Sequence, residues 1–464
     1  MKPLFKKLLL TVFLLVFFFS GVFQHISDSE FWPISLSRLF GQFDSSHVSL
    51  FYKFVFHALL KIPYFFDLNS VQHLILSRVI FSTMGLGSLF LYFKITEKLY
   101  QSEWVGFVLT AILLSCVFYF SQWSRIRSDF VVLFFCLLGI YLNLVWPRQK
   151  TRLVLLAVLP FLMILTTPKA IYWILILTIF CWPGILYVAT PLFGICLLFI
   201  SSSLIFSSRG FISSYVSAIF YFFNSWSSAI ENSDVISYEL GSFFKMHFVQ
   251  LILGCAGVFL CHSKNKNLKN KIVLSFFVAL LSIMINPQKL PFFVGALLPF
   301  LILPAGFFIL KIQERRHYKT WVAIATAVLM QSLWFTSSKK WWIYNGQELG
   351  KVAELENLML RVPNAVYFDG LGVLPRQSLL YAYLGPDDPA AIEGAQDAVT
   401  RHPPDFIFRN SRTYLMEPVL SIRLSQNYIE IRNGVFVKQD FKDRFKIDLS
   451  EKPVSNYFSY EAVY

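Results

Sequence analysis

Long apolar runs, separated by short polar segments, dominate the first 336 residues of the chain. A helix needs about 20 apolar residues to cross the hydrocarbon core of a bilayer, so each run predicts one membrane-spanning helix. The eleven runs are 8–23, 72–93, 104–121, 129–146, 152–166, 170–184, 186–206, 246–262, 272–286, 291–310 and 320–336. The pattern therefore predicts about eleven transmembrane helices, of which the short fifth and sixth are candidates for a partly re-entrant pair.

Lysine and arginine accumulate in every second loop of this pattern. Basic residues favour the cytoplasmic side of a membrane, so these loops predict that the N-terminus is cytoplasmic. The basic loops contain Lys94 and Lys98, residues 148–152, residues 264–271 and residues 311–319. An odd number of spans then places the C-terminal part on the outer side. The first run lacks a small-x-small cleavage site, so it predicts a retained helix and not a signal peptide.

Two further apolar stretches are predicted to lie on the membrane surface. In the stretch 49–66, Lys53, His57 and Lys61 are spaced by four, which places them on one face of an interfacial helix. The stretch 209–227 is rich in Phe and Tyr. If it crossed the membrane, the later basic loops would move outside, so we expect an outer surface helix there.

The composition changes after Trp342. Residues 337–464 hold 16 of the 27 acidic residues of the chain. Short strands are predicted at 364–369 and 405–408, and Asn433–Gly434 predicts a hairpin between two further strands. Residues 346–361 and 389–401 are predicted to be helical. The sequence therefore predicts an α-helical polytopic membrane domain over 1–336 and an extracytoplasmic α/β domain over 337–464.

Composition and charge narrow the function classes. Hydrophobic residues make up 56% of the chain and charged residues 15%, whereas a soluble protein has about 25% charged residues. The net charge of +14 lies in loop clusters, which indicates topology and not a nucleic-acid partner. No cysteine falls in the C-terminal domain and no Asn-x-Ser/Thr sequon occurs. These absences favour a bacterial inner membrane, with the C-terminal domain in the periplasm.

Asp28 and Glu30 follow the first predicted span. Two carboxylates near the membrane surface have the chemistry to bind a divalent metal or to activate a hydroxyl group. The alternative is a solvated turn, and the spacing alone leaves both interpretations open.

Cations on the predicted outer side form a second group of candidates. Arg125 and Arg127 precede Asp129, and guanidinium groups bind phosphate in bidentate fashion, although lipid headgroups are an equally good explanation. Lys169 lies between two short apolar runs, where a lysine needs water or an anion as its partner. Lys289 precedes Pro291 at the predicted start of another span. Acids and cations from four loops thus fall on one predicted side.

The motifs at these positions resemble those of the GT-C superfamily of polytopic glycosyltransferases. The nearest branch contains the lipid A aminoarabinose transferases and protein O-mannosyltransferases. Those enzymes have an acidic motif in the first outer loop, an Arg-x-Asp-like stretch in the second, a lysine between short helices, and a Lys-Leu-Pro-aromatic motif. The matching residues are Asp28 and Glu30, Arg127–Asp129, Lys169, and Lys289–Phe292 with Pro299 downstream.

This sequence departs from the family pattern at two motifs. Ser29 separates two carboxylates that are often adjacent in the family, which leaves open which of them is the base. Phe292 and Phe293 stand where a tyrosine is usual.

The resemblance implies transfer of a sugar from a polyprenyl-phosphate donor to a lipid, glycan or protein acceptor, with inversion at the anomeric carbon. Lys169, Arg127 and Lys289 would neutralise the leaving phosphate, while Asp28 would deprotonate the acceptor. Glu30 or Asp129 would orient the sugar or bind a metal. Some relatives use a divalent cation and others do not, so the resemblance leaves a metal open.

Two other function classes compete with this interpretation. A lipid-linked glycan transporter would also have many helices, but it would more often show paired, interrupted helices near the midplane, and the sequence shows no such pairing. A non-catalytic scaffold or assembly protein would not need acids and cations in four loops on one side.

Overall fold

The structure is a computed structural model of the full chain. It describes residues 18–19, 21–23, 28–38, 54–146, 158–181, 233–261, 266–286, 291–314, 327–328, 330–331, 346–380, 389–410, 413–417, 419–432 and 434–444. The predicted spans 186–206 and 320–336, and the predicted surface helix 209–227, lie wholly or mostly outside these residues. The same is true of most of the first span.

Helices account for nearly all of the described residues before residue 346. They are α1 (Asp28–Ser37), α2 (Phe54–Lys61), α3 (Ser70–Tyr100), α4 (Glu103–Leu114), α5 (Val117–Gln122), α6 (Ser128–Val145), α7 (Ile171–Cys181), α8 (Ser233–Phe259), α9 (Lys266–Ile285), α10 (Pro291–Ile302) and α11 (Ala305–Glu314). Single 3₁₀ turns follow α2 at Ile62–Phe65 and precede α7 at Pro168–Ala170.

Four of the described segments are long and apolar enough to cross a bilayer. They are Ser70–Tyr100, Ser128–Val145, Lys266–Ile285 and Phe293–Glu314. By length and composition, these four candidate spans are compatible with a helical membrane protein. The prediction of eleven spans is wrong for the described part of the chain, because several apolar runs fold into helices that are too short. Helix α4, for example, has 12 residues and ends before Ser115, so it is about 18 Å long, against a hydrocarbon core of about 30 Å.

Two predicted spans are interrupted. The predicted span 104–121 consists of α4 and α5, which are separated at Cys116, where ψ is 117° and the backbone is extended. The predicted span 246–262 belongs to α8, which has non-helical dihedral angles at His247 (φ −122°, ψ 21°). Hydrophobic runs show where apolar surface is needed, but they do not show where the backbone leaves the helical conformation.

The chain divides into two compact units that are not contiguous in sequence. Unit 1 contains Met1–Val22, Phe43–Phe56 and Arg78–Trp341, and unit 2 contains Phe23–Gln42, His57–Ser77 and Trp342–Tyr464. Unit 1 holds the large apolar helical core. Unit 2 combines the C-terminal residues with two segments from the first part of the chain. The long helix α3 belongs to unit 2 at its start and to unit 1 from Arg78 onward.

The C-terminal residues form a small α/β fold that combines helices with one β-sheet, as the sequence predicts. The elements are α12 (Gly346–Met359), β1 (Val366–Phe368), β2 (Ser378–Leu379), α13 (Pro389–Arg401), β3 (Phe406–Phe408), α14 (Val419–Asn427), β4 (Tyr428–Arg432) and β5 (Val435–Lys438). The strand order is β2-β1-β3-β5-β4; β1 is parallel to β2 and β3, and β5 is antiparallel to β3 and β4. The predicted hairpin is confirmed, with Gly434 at φ +78° in its turn.

The loop 369–377, which joins β1 to β2, is organised by the buried carboxylate of Asp369. Its oxygens accept backbone N–H groups from Leu371 (2.9 Å), Gly372 (2.7 Å) and Val373 (3.0 Å). Burial raises the pKa of the Asp369 carboxyl, and these N–H donors oppose the rise. Gly372 has φ +75°, a conformation that favours glycine. The loop therefore has a defined shape before it contacts other segments.

This loop contacts both early segments of unit 2. Ser35 of α1 donates its hydroxyl hydrogen to the carbonyl of Gly372, and Arg38 donates to the carbonyl of Gln377 (2.8 Å). Tyr64, in the second early segment, contacts both α1 and the loop, because its hydroxyl is 3.0 Å from the carbonyl of Ile34 and 3.1 Å from that of Pro375.

Arg376 completes these contacts. It donates from Nη2 to the carbonyls of Pro63 (2.8 Å) and Phe66, and its guanidinium lies 5.2 Å from the ring centre of Tyr64. By contrast, His57, which was predicted to share an interfacial face with Lys53 and Lys61, is fully buried. The predicted polar face therefore packs against protein at His57; Lys53 is outside the described residues.

Glu356 of α12 caps the N-terminus of α3. Its carboxylate oxygens accept the backbone N–H of Ser70 at 3.1 and 3.0 Å, and one of them accepts the Ser70 hydroxyl at 2.6 Å. Glu356 is only 8% exposed. A carboxylate here accepts a hydrogen bond from an N–H that the helix leaves unpaired. Its negative charge also interacts favourably with the positive end of the helix dipole.

We expect Glu356→Ala to loosen the first turn of α3. A hydrogen bond to a charged group contributes about 1.5–3 kcal/mol, which corresponds to an increase of about tenfold to a hundredfold in local opening. Hydrogen exchange of the peptide around Ser70–His73 measures this opening. Asn357→Ala changes an exposed residue of the same helix and is the matched control. Equal exchange in both variants would contradict the capping role.

Candidate functional site

Helices α6 and α7 of unit 1 run in the same direction and are level with each other. The thiol of Cys136 lies 3.5 Å from the carbonyl of Trp173, and Asn143 donates to the carbonyl of Phe180 at 2.9 Å. Both pairs are 37 residues apart, so the two helices are parallel with a constant register. The two helices therefore begin at the same end of unit 1, where Asp129 lies in the first turn of α6.

Helix α10 begins at the same end of unit 1. The indole N–H of Trp173 donates to the carbonyl of Ala296 (3.2 Å), and the ring of Phe293 lies 5.4 Å from that of Tyr172 and 5.5 Å from that of Trp173. The first turn of α10 therefore lies beside the first turn of α7. The N-terminal ends of α6 and α7 point the same way, in the relative direction that the charge pattern predicts for these segments; which side of the membrane they face stays a prediction.

A close backbone approach fixes α10 against α5. A side-chain carbon at Gly295 would lie 2.6 Å from the carbonyl oxygen of Phe118, so only glycine allows this contact. Helix α5 in turn borders α6, because the rings of Tyr119 and Phe130 are 5.5 Å apart. Helix α5 therefore contacts both the first part of α10 and the first turn of α6.

Lys169 lies at this end of unit 1 and is partly buried. Its ammonium group is 5.8 Å from the ring centre of Phe293, which is near the outer limit of a cation–π contact. It lies three residues beyond Thr166 on the 3₁₀ turn that precedes α7. Thr166 and Thr167 are buried, so packing in the core holds the turn from which the Lys169 side chain extends.

Asp129 brings a buried acid to the same end. It is 3% exposed, and its Oδ1 atom has no hydrogen-bond partner among the described residues. Arg127, two residues earlier, is the N-cap of α6 and makes no side-chain capping bond to the helix. A buried carboxylate oxygen is costly to leave unpaired, so this end of unit 1 has capacity for a hydrogen-bond donor.

The predicted site residues fall into three groups in the structure. Arg125, Arg127, Asp129 and Lys169 all lie at the end of unit 1 where α6, α7 and α10 begin. Lys289 is outside the described residues, two positions before the start of α10.

Asp28 and Glu30 belong to unit 2. Both lie in the first turn of α1, not in a solvated loop, and Glu30 is fully buried; the side chain of Asp28 is outside the described part.

The unit 1 group has the properties of an anion site. Helix N-termini carry partial positive charge and unpaired N–H groups, and here α6 and α7 are parallel while the first turn of α10 lies beside that of α7. Two arginines and a lysine add full charges, and arginine matches the geometry of phosphate oxygens. Oδ1 of Asp129 is available to accept a hydrogen bond from a hydroxyl group of the same ligand. The arrangement therefore suits a phosphate that carries a polar substituent.

Sequence reasoning missed a polar contact between the two interrupted helices of unit 1. Gln250 donates to the hydroxyl of Ser115 (3.2 Å), and the buried His247 ring lies 4.8 Å from that of Phe118. The two ring nitrogens of His247 and Oε1 of Gln250 have no hydrogen-bond partner in the described part of the structure. A histidine and a glutamine within an apolar run were the available signal, because polar residues inside a membrane usually have a role.

No group of three or more His, Cys, Asp or Glu side chains among the described residues is arranged to hold a metal ion. Metal dependence stays an open prediction. Comparison with protein-family models gives no match for this chain, and comparison with curated proteins gives no significant one. The resemblance to GT-C enzymes therefore rests on the short motifs alone.

We expect Lys169→Ala and Arg127→Ala each to weaken binding of a polyprenyl phosphate by about tenfold to a hundredfold, because a charge-assisted hydrogen bond contributes about 1.5–3 kcal/mol. Native mass spectrometry of the protein in nanodiscs, titrated with the lipid, measures this affinity. Lys311→Ala is the matched control. Lys311 lies in the last turn of α11, at the opposite end of the span Phe293–Glu314 from the first turn of α10. If phosphatidylglycerol shows the same losses, the cations bind lipid headgroups in general.

Proposed function

We propose that this protein is a membrane glycosyltransferase that moves a sugar from a polyprenyl-phosphate donor to an acceptor on the outer side of the membrane. The observation that carries the proposal is the common end of α6, α7 and α10, with Arg127, Asp129 and Lys169. A phosphate held there has positive charge around it as the bond to the sugar breaks. Glycosyl transfer, as opposed to another reaction of a lipid phosphate, is supported by the GT-C resemblance of the motifs.

The proposal gives the predicted site residues separate roles. Arg127 and Lys169 bind the donor phosphate, and Oδ1 of Asp129 accepts a hydrogen bond from a sugar hydroxyl. One of the two predicted first-loop acids is the base that takes the proton from the acceptor hydroxyl, whose oxygen then attacks the anomeric carbon and displaces the phosphate with inversion. Full burial of Glu30 favours Asp28 as this base, because a base has to meet the acceptor.

The sidedness of the site also belongs to the proposal. The basic loops predict a cytoplasmic N-terminus and place the beginnings of α6, α7 and α10 outside. A donor whose lipid tail stays in the bilayer is then able to present its phosphate at the outer surface. A bacterial inner membrane, with the sheet of unit 2 in the periplasm, is the compartment in which we expect the protein.

A lipid-linked glycan transporter is a second candidate, and a specific observation favours it. The break between α4 and α5 lies beside the break in α8, because Ser115 contacts Gln250 and Phe118 contacts His247. Interrupted helices that face each other are typical of transporter binding sites. The sequence showed no such pairing, so this structural feature raises the transporter above the scaffold as the alternative.

We expect Asp28→Asn to reduce sugar transfer by about 10²–10⁴, because general-base catalysis contributes a factor of this size and the amide cannot accept the proton. The measurement is the transfer rate at saturating donor, with equal thermal melting as evidence that the variant is folded. Glu30→Gln is the matched comparison and should have the smaller effect if Glu30 only orients α1. Wild-type rates in both variants would remove the catalytic role of the first-loop acids.

A further inference from the structure

Two adjacent phenylalanines in unit 2 are exposed at the end of the 3₁₀ turn that follows α2. Phe65 is 79% exposed and Phe66 is 53% exposed, and Ile62, at the start of the same turn, is 38% exposed. Residues Ile62–Phe66 are called the aromatic tip below. Scattered single apolar residues are common on protein surfaces, but three on one short turn form a patch that calls for a partner.

The aromatic tip is held in place by polar contacts behind it. Arg376 donates to the carbonyls of Pro63 and Phe66, and the backbone N–H of Phe66 bonds to the carbonyl of Pro63 (3.3 Å). Polar backbone groups that already have partners remove the main obstacle to entering lipid. The exposed rings are therefore the outer face of an ordered turn.

The position of the tip along the chain points to a lipid surface. It ends four residues before Ser70, where α3 begins. Helix α3 has 31 residues and is about 46 Å long, whereas a hydrocarbon core is about 30 Å thick. If Lys94, which forms an ion pair with Glu97, marks one boundary of the hydrocarbon core, the opposite boundary lies about 20 residues nearer the N-terminus, at Leu74. The start of α3 and the tip then lie at headgroup level.

The charge around the tip fits the same partner. Lys61 precedes it directly, and its ammonium group donates to the carbonyl of Arg38 (2.7 Å), so the exposed Arg38 lies close by. Arg376 adds a third cation. Basic side chains next to aromatic rings are the usual composition of segments that bind an anionic membrane surface.

We propose that the aromatic tip inserts into the boundary between headgroups and acyl chains of the leaflet at which α3 begins, with anionic phospholipid as its partner. The insertion fixes unit 2 to the bilayer at a second point besides α3. Through Tyr64, whose hydroxyl reaches the carbonyl of Ile34, it also sets the height of α1 above the lipid. The inference does not depend on sugar transfer, since it concerns only where unit 2 contacts lipid.

The test replaces Phe65 with the photoreactive residue p-benzoylphenylalanine in the full chain, reconstituted in liposomes of phosphatidylethanolamine and phosphatidylglycerol. After irradiation, mass spectrometry detects covalent lipid adducts. We expect a phospholipid adduct at position 65, enriched in phosphatidylglycerol over its share of the liposome lipid.

The matched control places the same residue at Ile422 of α14, which is 53% exposed in the same unit and therefore equals Phe66 in exposure. We expect no lipid adduct there. The proposal is overturned if position 65 gives no more lipid adduct than position 422, or if position 65 crosslinks mainly to protein, because either result means that the tip does not lie in lipid.

Discussion

The unpaired N–H groups at the start of each membrane helix are the constraint on which this structure depends. A helix leaves its first four N–H groups without internal partners, and lipid offers none. The chain deals with this at two kinds of place. At Ser70, a carboxylate from the C-terminal residues closes the end of α3. At α6, Arg125 and Arg127 directly precede the first turn of the helix, and we propose an anionic ligand for this end.

This constraint also explains why the C-terminal residues form a unit with two early segments of the chain. Glu356 needs the start of α3, and Arg376 needs the carbonyls that follow α2. The loop 369–377, with Asp369 at its centre, supplies the matching contacts for α1. The helix that carries the proposed base is thus held by residues more than 300 positions away in sequence. A separate extracytoplasmic domain attached by a linker would not hold α1 in this way.

The sequence predicts most of the secondary structure of unit 2, because its signals are local. Asn433–Gly434 gives the hairpin, and short β-branched or aromatic runs give β1 and β3. Pairing of distant segments leaves no comparable signal, so the contact of Glu356 with Ser70 was not foreseen. Hydropathy also overestimated the number of spans, because it does not register the backbone breaks at Cys116 and His247.

The candidate site shows the same division between local and distant information. The unusual position of Arg127 and Lys169 on the predicted outer side was readable from charge alone. That these residues lie at one end of unit 1 follows from the register between α6 and α7, which depends on contacts such as that between Asn143 and Phe180. The burial of Glu30 was also not predictable from the sequence, since an acid two residues from another acid is normally solvated.

The proposed function requires that the protein breaks the bond between a sugar and a polyprenyl phosphate. The most direct measurement incubates the purified protein in acceptor-containing membranes with a panel of donors that carry a radiolabelled sugar, and separates lipid-linked from transferred label. We expect that one donor loses its label to a new molecule, with release of an equal amount of polyprenyl phosphate. If every donor keeps its sugar while one crosses the bilayer intact, the protein is a transporter and not a glycosyltransferase.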